Sequence, residues 1–249
     1  MLSDIPAEDF AAAVDASANE VLWEAGIDGP PIDALDVAEG LQLVVARDYS
    51  LLHRGHFVRL ADRSGGVAAQ GTIVVGPSNR CEREQWTVAH EIGESIVYRV
   101  FDRLGVVFDE VTPTARESAA NCLASALLLP RRWFAVDGPD VGWNLIELKE
   151  RYCTASHELV ARRMLEMRPA IVISVFDQGR LQWRRGNVGQ PPVELLNEER
   201  AAWRTAHLLG TSAEASLDAE SGLQRVDCWP VHEPGWKREI MRSEIAEMV

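Results

Sequence analysis

The chain has 249 residues, 47% of them hydrophobic, and its 38 acidic residues outnumber the 25 basic ones, for a formal net charge of −13. This balance disfavours binding to the phosphate backbone of nucleic acids, whose affinity depends on Lys and Arg, and no apolar run reaches the roughly 18 residues that a membrane span requires. The first residues lack the features of a signal peptide, and four scattered cysteines predict no disulfide framework. We therefore expect a globular protein of the cytoplasm.

The acidic residues are concentrated in the first half of the chain. Residues 1–130 contain 20 acidic and 9 basic residues, whereas residues 131–249 contain 18 and 16. Such an excess is compatible with a cation site, although its usual meaning is a solvated surface. The charge distribution alone does not distinguish the two.

Hydrophobic periodicity predicts a helix-rich first half with a few short strands. In chain order, the predicted elements are a helix over 7–25, a short helix over 34–40 that Asp33 could cap, strands near 41–46, 56–60 and 72–75, and helices over 81–101 and 114–129. Pro130 ends the last of these helices, because proline does not continue a helix.

The second half combines helices with strands. The predicted elements are helices over 145–152 and 156–167 that form a helix–turn–helix-like pair, strands over 170–176 and 181–185, a helix over 194–209, a strand over 224–231 and an amphipathic tail from Trp236. The most natural boundary lies at Arg168–Pro169. We expect three parts, over residues 1–135, 136–168 and 169–249.

One segment carries the residue types of a metal site. His90, Glu91 and Glu94 stand in a His-Glu-Ile-Gly-Glu sequence within the helix predicted over 81–101. Residues four apart share a helix face, so His90 and Glu94 can turn toward one cation with Glu91 nearby. This is the geometry of the His-Glu-x-x-His zinc helix, whose Glu is the general base, with Glu94 in place of the second His. The alternative is an ordinary pair of helix side chains.

A further acidic residue, Glu117, lies on the next predicted helix. Because Thr114 precedes it by three residues, the two also fit a capping box, in which the Glu reaches back to a backbone amide at the start of the helix. On that evidence alone capping is the favoured role of Glu117, and a ligand role stays open.

Taken together, these segments resemble the ImmA/IrrE-type metallopeptidases, a family of zinc proteases that cleave repressors. The resemblance rests on the sequence from Arg83 to Glu94, Arg-Glu-Gln-Trp-Thr-Val-Ala-His-Glu-Ile-Gly-Glu, and on the stretch from Glu117 through Asn121 to a Leu-Pro end. It covers roughly residues 7–167, so it includes the helix–turn–helix-like pair.

The resemblance implies a role for each residue of these motifs. His90 matches the first zinc ligand, Glu91 the general base and Glu117 the acidic ligand from the following helix. Glu94 stands where the family has its second ligand His, and Asn121 could hydrogen-bond a ligand as an outer partner. Carboxylates also ligate zinc, while the added negative charge moves the preference toward Mn²⁺ or another harder divalent ion. A working His/Glu/Glu site, a site with altered metal preference and an inactive descendant all remain open.

The implied fold class is α+β. It comprises a zincin-like peptidase core of helices and a small sheet, a helix–turn–helix-like unit and a small C-terminal α/β region, for which larger members of the family suggest a GAF-like sensor. Residues 145–168 carry five basic and four acidic side chains. This nearly neutral balance disfavours direct binding of DNA by the helical unit.

The implied function is that of an intracellular metallo-endopeptidase. A metal-activated water would attack a peptide carbonyl after Glu91 accepts its proton. The implied substrate is a regulatory protein, a helix–turn–helix transcriptional repressor, in a stress or mobile-element response. The alternative is a catalytically inactive, peptidase-like binding or sensor protein in which Glu94 has replaced a zinc ligand. His53 and His56 could supply a missing imidazole, although a surface loop is favoured there.

Overall fold

A computed structural model of the protein describes residues 5–50, 56–60, 70–189, 191, 194–215, 217 and 221–246. The chain divides into two compact units. The first comprises Met1–Asp137 with Glu150–Ser156, and the second comprises Gly138–Lys149 with His157–Val249. Both helices and sheets are present, which confirms the α+β class.

The helices and strands follow the predicted order with several corrections. In chain order they are α1 (Ala7–Glu24), α2 (Ala34–Gly40), β1 (Val44–Arg47), β2 (His56–Leu60), β3 (Gln70–Val75), α3 (Cys81–Ile96), α4 (Tyr98–Arg103), a 3₁₀ turn (Phe108–Glu110), α5 (Pro113–Leu128), α6 (Arg131–Asp140), α7 (Leu145–Arg151), α8 (His157–Met164), β4 (Ile171–Asp177), β5 (Arg180–Gly186), α9 (Asn197–Leu209), β6 (Ala213–Glu214), β7 (Leu223–Pro230) and β8 (Arg238–Ile245). The helix predicted over 81–101 is interrupted at Val97, and the amphipathic tail is the strand β8. The 3₁₀ turn, α6 and β6 were not predicted.

The first unit contains a three-stranded sheet with β3 in the centre. β3 pairs in parallel with β1, in the register Val44 to Thr72, and antiparallel with β2, in the register His56 to Val74. Ile73 on β3 is fully buried. The predicted strands of the first half are therefore present, and they join one sheet.

Helices α1, α3 and α5 supply most of the apolar core of the first unit. Leu22, Ile92 and Leu123, one from each helix, are all fully buried. Burial of a side chain of this size stabilises a fold by roughly 1.5–3 kcal/mol relative to exposure. The helical spacing of apolar residues therefore gives both the helices and the faces by which they pack.

The N-terminus of α5 differs from the predicted capping box. Thr112, not Thr114, is the N-cap residue, and its side-chain oxygen accepts a hydrogen bond from the backbone N–H of Ala115 at 3.3 Å. Pro113 occupies the first turn, where the missing N–H costs nothing. Glu117 is therefore released from the capping role that its spacing from Thr114 suggested.

The second unit contains a five-stranded antiparallel sheet in the order β5-β4-β8-β7-β6. β8, the last strand along the chain, lies between β4 and β7, where Ile240 is the partner of Val175 on one side and of Trp229 on the other. Counted within this sheet, the order is 2-1-5-4-3. The assignment of residues 169–249 to a GAF-like sensor stays a prediction.

A buried polar network joins α9 to this sheet. Glu199, on the first turn of α9, is fully buried and accepts hydrogen bonds from Arg184 at 2.9 Å to each carboxylate oxygen. The hydroxyl of Ser243 donates to the same carboxylate at 2.5 Å, and the backbone N–H of Leu196 donates at 2.9 Å. Since a buried carboxylate is costly unless paired and hydrogen-bonded, this network fixes the position of α9.

Candidate metal centre

The three predicted ligand residues meet at one point of the first unit. His90 and Glu94 lie one turn apart on α3, Glu117 lies on α5, and one ligand atom from each lies within 4.8 Å of the others. His90 Nε2 is 3.6 Å from Glu117 Oε1. Two ligands bound to a tetrahedral zinc ion at about 2.0–2.2 Å lie about 3.3–3.6 Å from each other. The one nitrogen and two carboxylate donors therefore fit a zinc-type cation.

Gly93 allows the two helices to approach closely enough to assemble this cluster. A Cβ atom at this position would lie 2.7 Å from the backbone carbonyl oxygen of Ala120 on α5. Gly93 immediately precedes Glu94, and Ala120 lies one turn after Glu117. The glycine therefore sets the distance between the helix that carries His90 and the helix that carries Glu117.

Glu117 lies close enough to Glu94 to affect the pKa of Glu94. Partial burial raises the pKa of Glu94, neighbouring Glu117 raises it further, and His90 opposes the shift. The side chain of Glu117 is 58% exposed, whereas that of His90 is 17% exposed. A bound cation would remove the repulsion between the carboxylates.

His90 departs from the usual environment of a ligand histidine. Its Nε2 is on the side of Glu117, whereas its Nδ1 is buried and has no hydrogen-bond partner among the residues that the structure describes. Metal-bound histidines commonly donate the other ring N–H to an acceptor that fixes the ring. The orientation of His90 therefore depends on the packing of α3 against α5.

Glu91 and Asn121 lie beside the cluster. Glu91, the predicted base, is adjacent to His90 on α3 and only 6% exposed. Asn121 lies one turn after Glu117, donates from Nδ2 to the backbone carbonyl of Glu117 at 3.0 Å and is 3.4 Å from its Oε1. The structure thus places the predicted outer partner against the carboxylate of Glu117.

The sequence analysis named two further histidines that could supply an imidazole ligand. His53 lies outside the described residues, and His56 begins β2.

A second cluster that the sequence analysis missed comprises His207, His232 and Glu239 in the second unit. Their spacing of 25 and 7 residues follows no ligand motif, so no local signal could have found them.

Comparison with known proteins identifies the region that holds the first cluster. Residues 43–164 match a peptidase family model, the IrrE N-terminal-like domain. This region of the chain is similar to the IrrE N-terminal-like domain. The match confirms the predicted resemblance, and the matched range includes all of α3 and α5. No curated protein matches the chain.

A solved structure extends the similarity beyond this domain. A Mycobacterium tuberculosis transcriptional regulator matches 95% of this chain and 81% of its own, with a TM-score of 0.65 and 14% sequence identity. At this identity the likeness establishes the fold alone. Among the described residues, no helix is long and apolar enough to cross a membrane.

Proposed function

We propose that this chain is a metal-dependent endopeptidase that hydrolyses a peptide bond in a regulatory protein. The observation that carries the proposal is the convergence of His90, Glu94 and Glu117 beside a buried Glu91. All four residues lie within residues 43–164, the range that matches the IrrE N-terminal-like peptidase domain. Glu94 is the one departure from the family pattern.

Each residue has a defined task in this proposal. His90, Glu94 and Glu117 hold the cation, and Asn121 steadies the carboxylate of Glu117 by its amide N–H. When bound, the cation polarises the peptide carbonyl and lowers the pKa of water toward neutrality. Glu91 accepts the proton of the attacking water and delivers it to the leaving amine, as a general base and then a general acid. Its burial limits competition from solvent.

The additional carboxylate at position 94 changes the electrostatics of the proposed site. Two carboxylates reduce the positive charge of a cation more than a His/His/Glu set does. The site therefore favours Mn²⁺ or another hard divalent ion more than such a set would, and water in it is less acidic. We propose zinc as the cation with manganese as its competitor.

The proposed substrate is a helix–turn–helix transcriptional repressor, and the proposed setting is a stress response in the cytoplasm. This substrate class follows from the family, whose members cleave regulators. The second unit would serve as a sensor that controls the peptidase. The cheapest guide to the substrate is a gene for a small DNA-binding repressor beside the gene of this protein.

Metal content and cleavage test the proposal together. The full chain is purified as wild type, Glu94→His and Glu91→Gln, and its metal is quantified by mass spectrometry. Each protein is also co-expressed with a helix–turn–helix repressor identified from the genes beside its own. We expect metal in all three proteins and cleavage in the first two only. Absence of metal from both wild type and Glu94→His, or undiminished cleavage by Glu91→Gln, would contradict the proposal.

The second candidate function is an inactive, peptidase-like binding or sensor protein. The observation that favours it is the replacement of an imidazole by Glu94 next to a largely exposed Glu117. This alternative predicts that wild type leaves the repressor intact but retains it in a pull-down, whereas Glu94→His gains cleavage.

A further inference from the structure

The cluster in the second unit brings together two histidines and a glutamate from three elements. His207 lies in the last turns of α9, His232 in the connection from β7 to β8, and Glu239 in β8. His207 Nδ1 is 3.0 Å and His232 Nε2 is 2.6 Å from the same oxygen, Glu239 Oε1. Two imidazole nitrogens therefore converge on one carboxylate oxygen.

The glutamate of this cluster is fully buried, whereas its imidazoles reach the surface. The side chain of Glu239 is 0% exposed, and those of His207 and His232 are 25% and 22% exposed. Trp203 donates from Nε1 to the second carboxylate oxygen at 3.3 Å. Within the described residues, the polar contacts of this carboxylate are thus two imidazoles and one indole.

These contacts leave open which group compensates the charge of the buried carboxylate. A buried carboxylate is costly unless a positive charge accompanies it. The nearby ammonium of Lys237 donates to the backbone oxygen of His207, not to the carboxylate. Neutral imidazoles supply hydrogen bonds but no charge, whereas a bound cation would compensate the buried carboxylate of Glu239.

The donor set favours the cation. Two imidazoles and one carboxylate form a ligand set typical of zinc sites that keep a fourth position open, and imidazole is a preferred ligand of zinc-type ions. The partly exposed rings leave a route from solvent to the three donor atoms. We propose that His207, His232 and Glu239 bind a divalent cation of the zinc type and thereby tie α9 to the β7–β8 hairpin.

The backbone around the cluster is well suited to hold these ligands. Gly210 ends α9 in the left-handed conformation, with φ of 65°, directly after the turn that carries His207. The hairpin is closed on either side of His232, by a hydrogen bond from Val231 to Arg238 at 2.7 Å and by paired bonds between Glu233 and Trp236. The three ligand atoms lie within 4.8 Å of one another, and cation entry requires side-chain shifts that bring them to about 3.3 Å from each other.

This site is independent of the proposed peptidase centre, and its test must separate the two. The full chain is stripped of metal in the His90→Ala background, which removes the imidazole of the first cluster. It is then titrated with Co²⁺, followed by visible absorption, and with Zn²⁺, followed by thermal melting. We expect one equivalent of Co²⁺ to bind and Zn²⁺ to raise the melting temperature.

Glutamine replacements distinguish ligation from hydrogen bonding. In His207→Gln and His232→Gln, the side-chain amide retains an N–H that can donate to Glu239, but it loses the imidazole ligand. We expect each to weaken Co²⁺ binding at least about 100-fold, beyond the effect of losing an outer partner, and to abolish the Zn²⁺-dependent rise. Arg204→Ala, at an exposed position of α9, is the matched control and should bind as its parent does.

Two results would overturn the proposal. One is the absence of Co²⁺ binding in the His90→Ala background. The other is unchanged Co²⁺ affinity in both glutamine variants, because the hydrogen-bonded cluster would then be structural only. Circular dichroism of the stripped proteins identifies a variant that fails to fold, and the second glutamine variant then decides.

Discussion

The two clusters of ligand residues differ in composition and in burial. The cluster of the first unit combines one imidazole with two carboxylates, and Glu117 there is largely exposed. The cluster of the second unit combines two imidazoles with one fully buried carboxylate, Glu239. In the proposed roles, the exposed acidic cluster would offer a cation to a substrate, whereas the cluster built around a buried carboxylate would hold elements of the fold together.

The two clusters also differ in the structural feature that holds each one in place, which we call its support. The first cluster depends on the close approach of two helices at Gly93, which leaves no room for a side chain. The second depends on the docking of α9, which the buried pair of Arg184 and Glu199 fixes. A change that damages one support should leave the other cluster intact, and this independence can be tested.

The largest expected effect concerns chemistry at the first cluster. Glu91→Gln should lower the rate of repressor cleavage by about 10²–10⁴-fold, because the amide cannot accept the proton of the attacking water. Initial rates with purified proteins measure the loss. Glu110→Gln, at an exposed position of the 3₁₀ turn, is the control, and an equal loss in both variants would show that Glu91 has no special role.

The next largest effect concerns the support of the second cluster. Glu199→Ala should lower the free energy of unfolding by about 3–5 kcal/mol, because it leaves the buried guanidinium of Arg184 without its partner. Urea denaturation measures the change. Glu214→Ala, which removes an exposed carboxylate 3.5 Å from Arg225, should cost at most about 1 kcal/mol. Similar losses in the two variants would refute the assigned role of the network.

A smaller loss is expected at the support of the first cluster. Gly93→Ala should destabilise the chain by about 1–3 kcal/mol, because the added methyl group would push α3 away from Ala120. It should also weaken metal binding at His90 while leaving the second cluster unaffected. Ser118→Ala on the exposed side of α5 should change stability by no more than about 0.5 kcal/mol. Denaturation and metal titration of both variants check this.

A change of ligand composition should shift the pH dependence of the first cluster. Glu94→His removes one negative charge near the cation, so water there should lose its proton at lower pH. The rising limb of the cleavage profile should then move down by roughly one pH unit, equivalent to about 1.4 kcal/mol. A pH–rate profile of wild type and variant decides, and an upward shift would contradict the electrostatic argument.

The smallest effect is a difference in thiol reactivity. Burial raises the pKa of Cys228, with further contributions from Glu239 and Asp227, so this thiol forms little thiolate. Cys81, Cys122 and Cys153 are exposed. A chromogenic disulfide reagent should therefore modify three thiols in the native chain and the fourth only on unfolding.

Thiol modification also sharpens the comparison between the two units. Since Cys228 reports on the second unit, Glu199→Ala should accelerate its modification and Gly93→Ala should not. Equal acceleration by both changes would indicate that the two clusters share one support.

The sequence predicts that two residues of the first cluster lie together, because their spacing is local. His90 and Glu94 share a face of one helix, so their spacing alone places them together. The relation of Glu117 to them needed the family resemblance, since its spacing from Thr114 favoured a cap that the structure gives to Thr112. Tertiary packing of α5 against α3, which residue spacing does not encode, places Glu117 beside His90.

The second cluster could not be predicted because it depends on strand pairing. The sequence of β8 predicts an amphipathic tail, because Glu239, Arg242 and Ser243 are polar. The structure nevertheless buries all three side chains. Glu239 and Ser243 contact His207 and Glu199 on α9, and the strand itself pairs with β4 and β7. No local pattern of hydrophobicity therefore identifies the strand.

The helix α6 could not be predicted for a different reason. Gly138 and Pro139 disfavour a helix that the structure nevertheless forms.

The central position of β8 has a consequence for the order of assembly during translation. β4 emerges from the ribosome early, but the strand that separates it from β7 is the last of this sheet to be made. The β4–β5 hairpin must therefore wait with one edge unpaired, exposed to aggregation, until residues 238–245 are available. A chain that ends before Arg238 should recruit chaperones after its release, whereas a released chain that includes residues 238–245 should not.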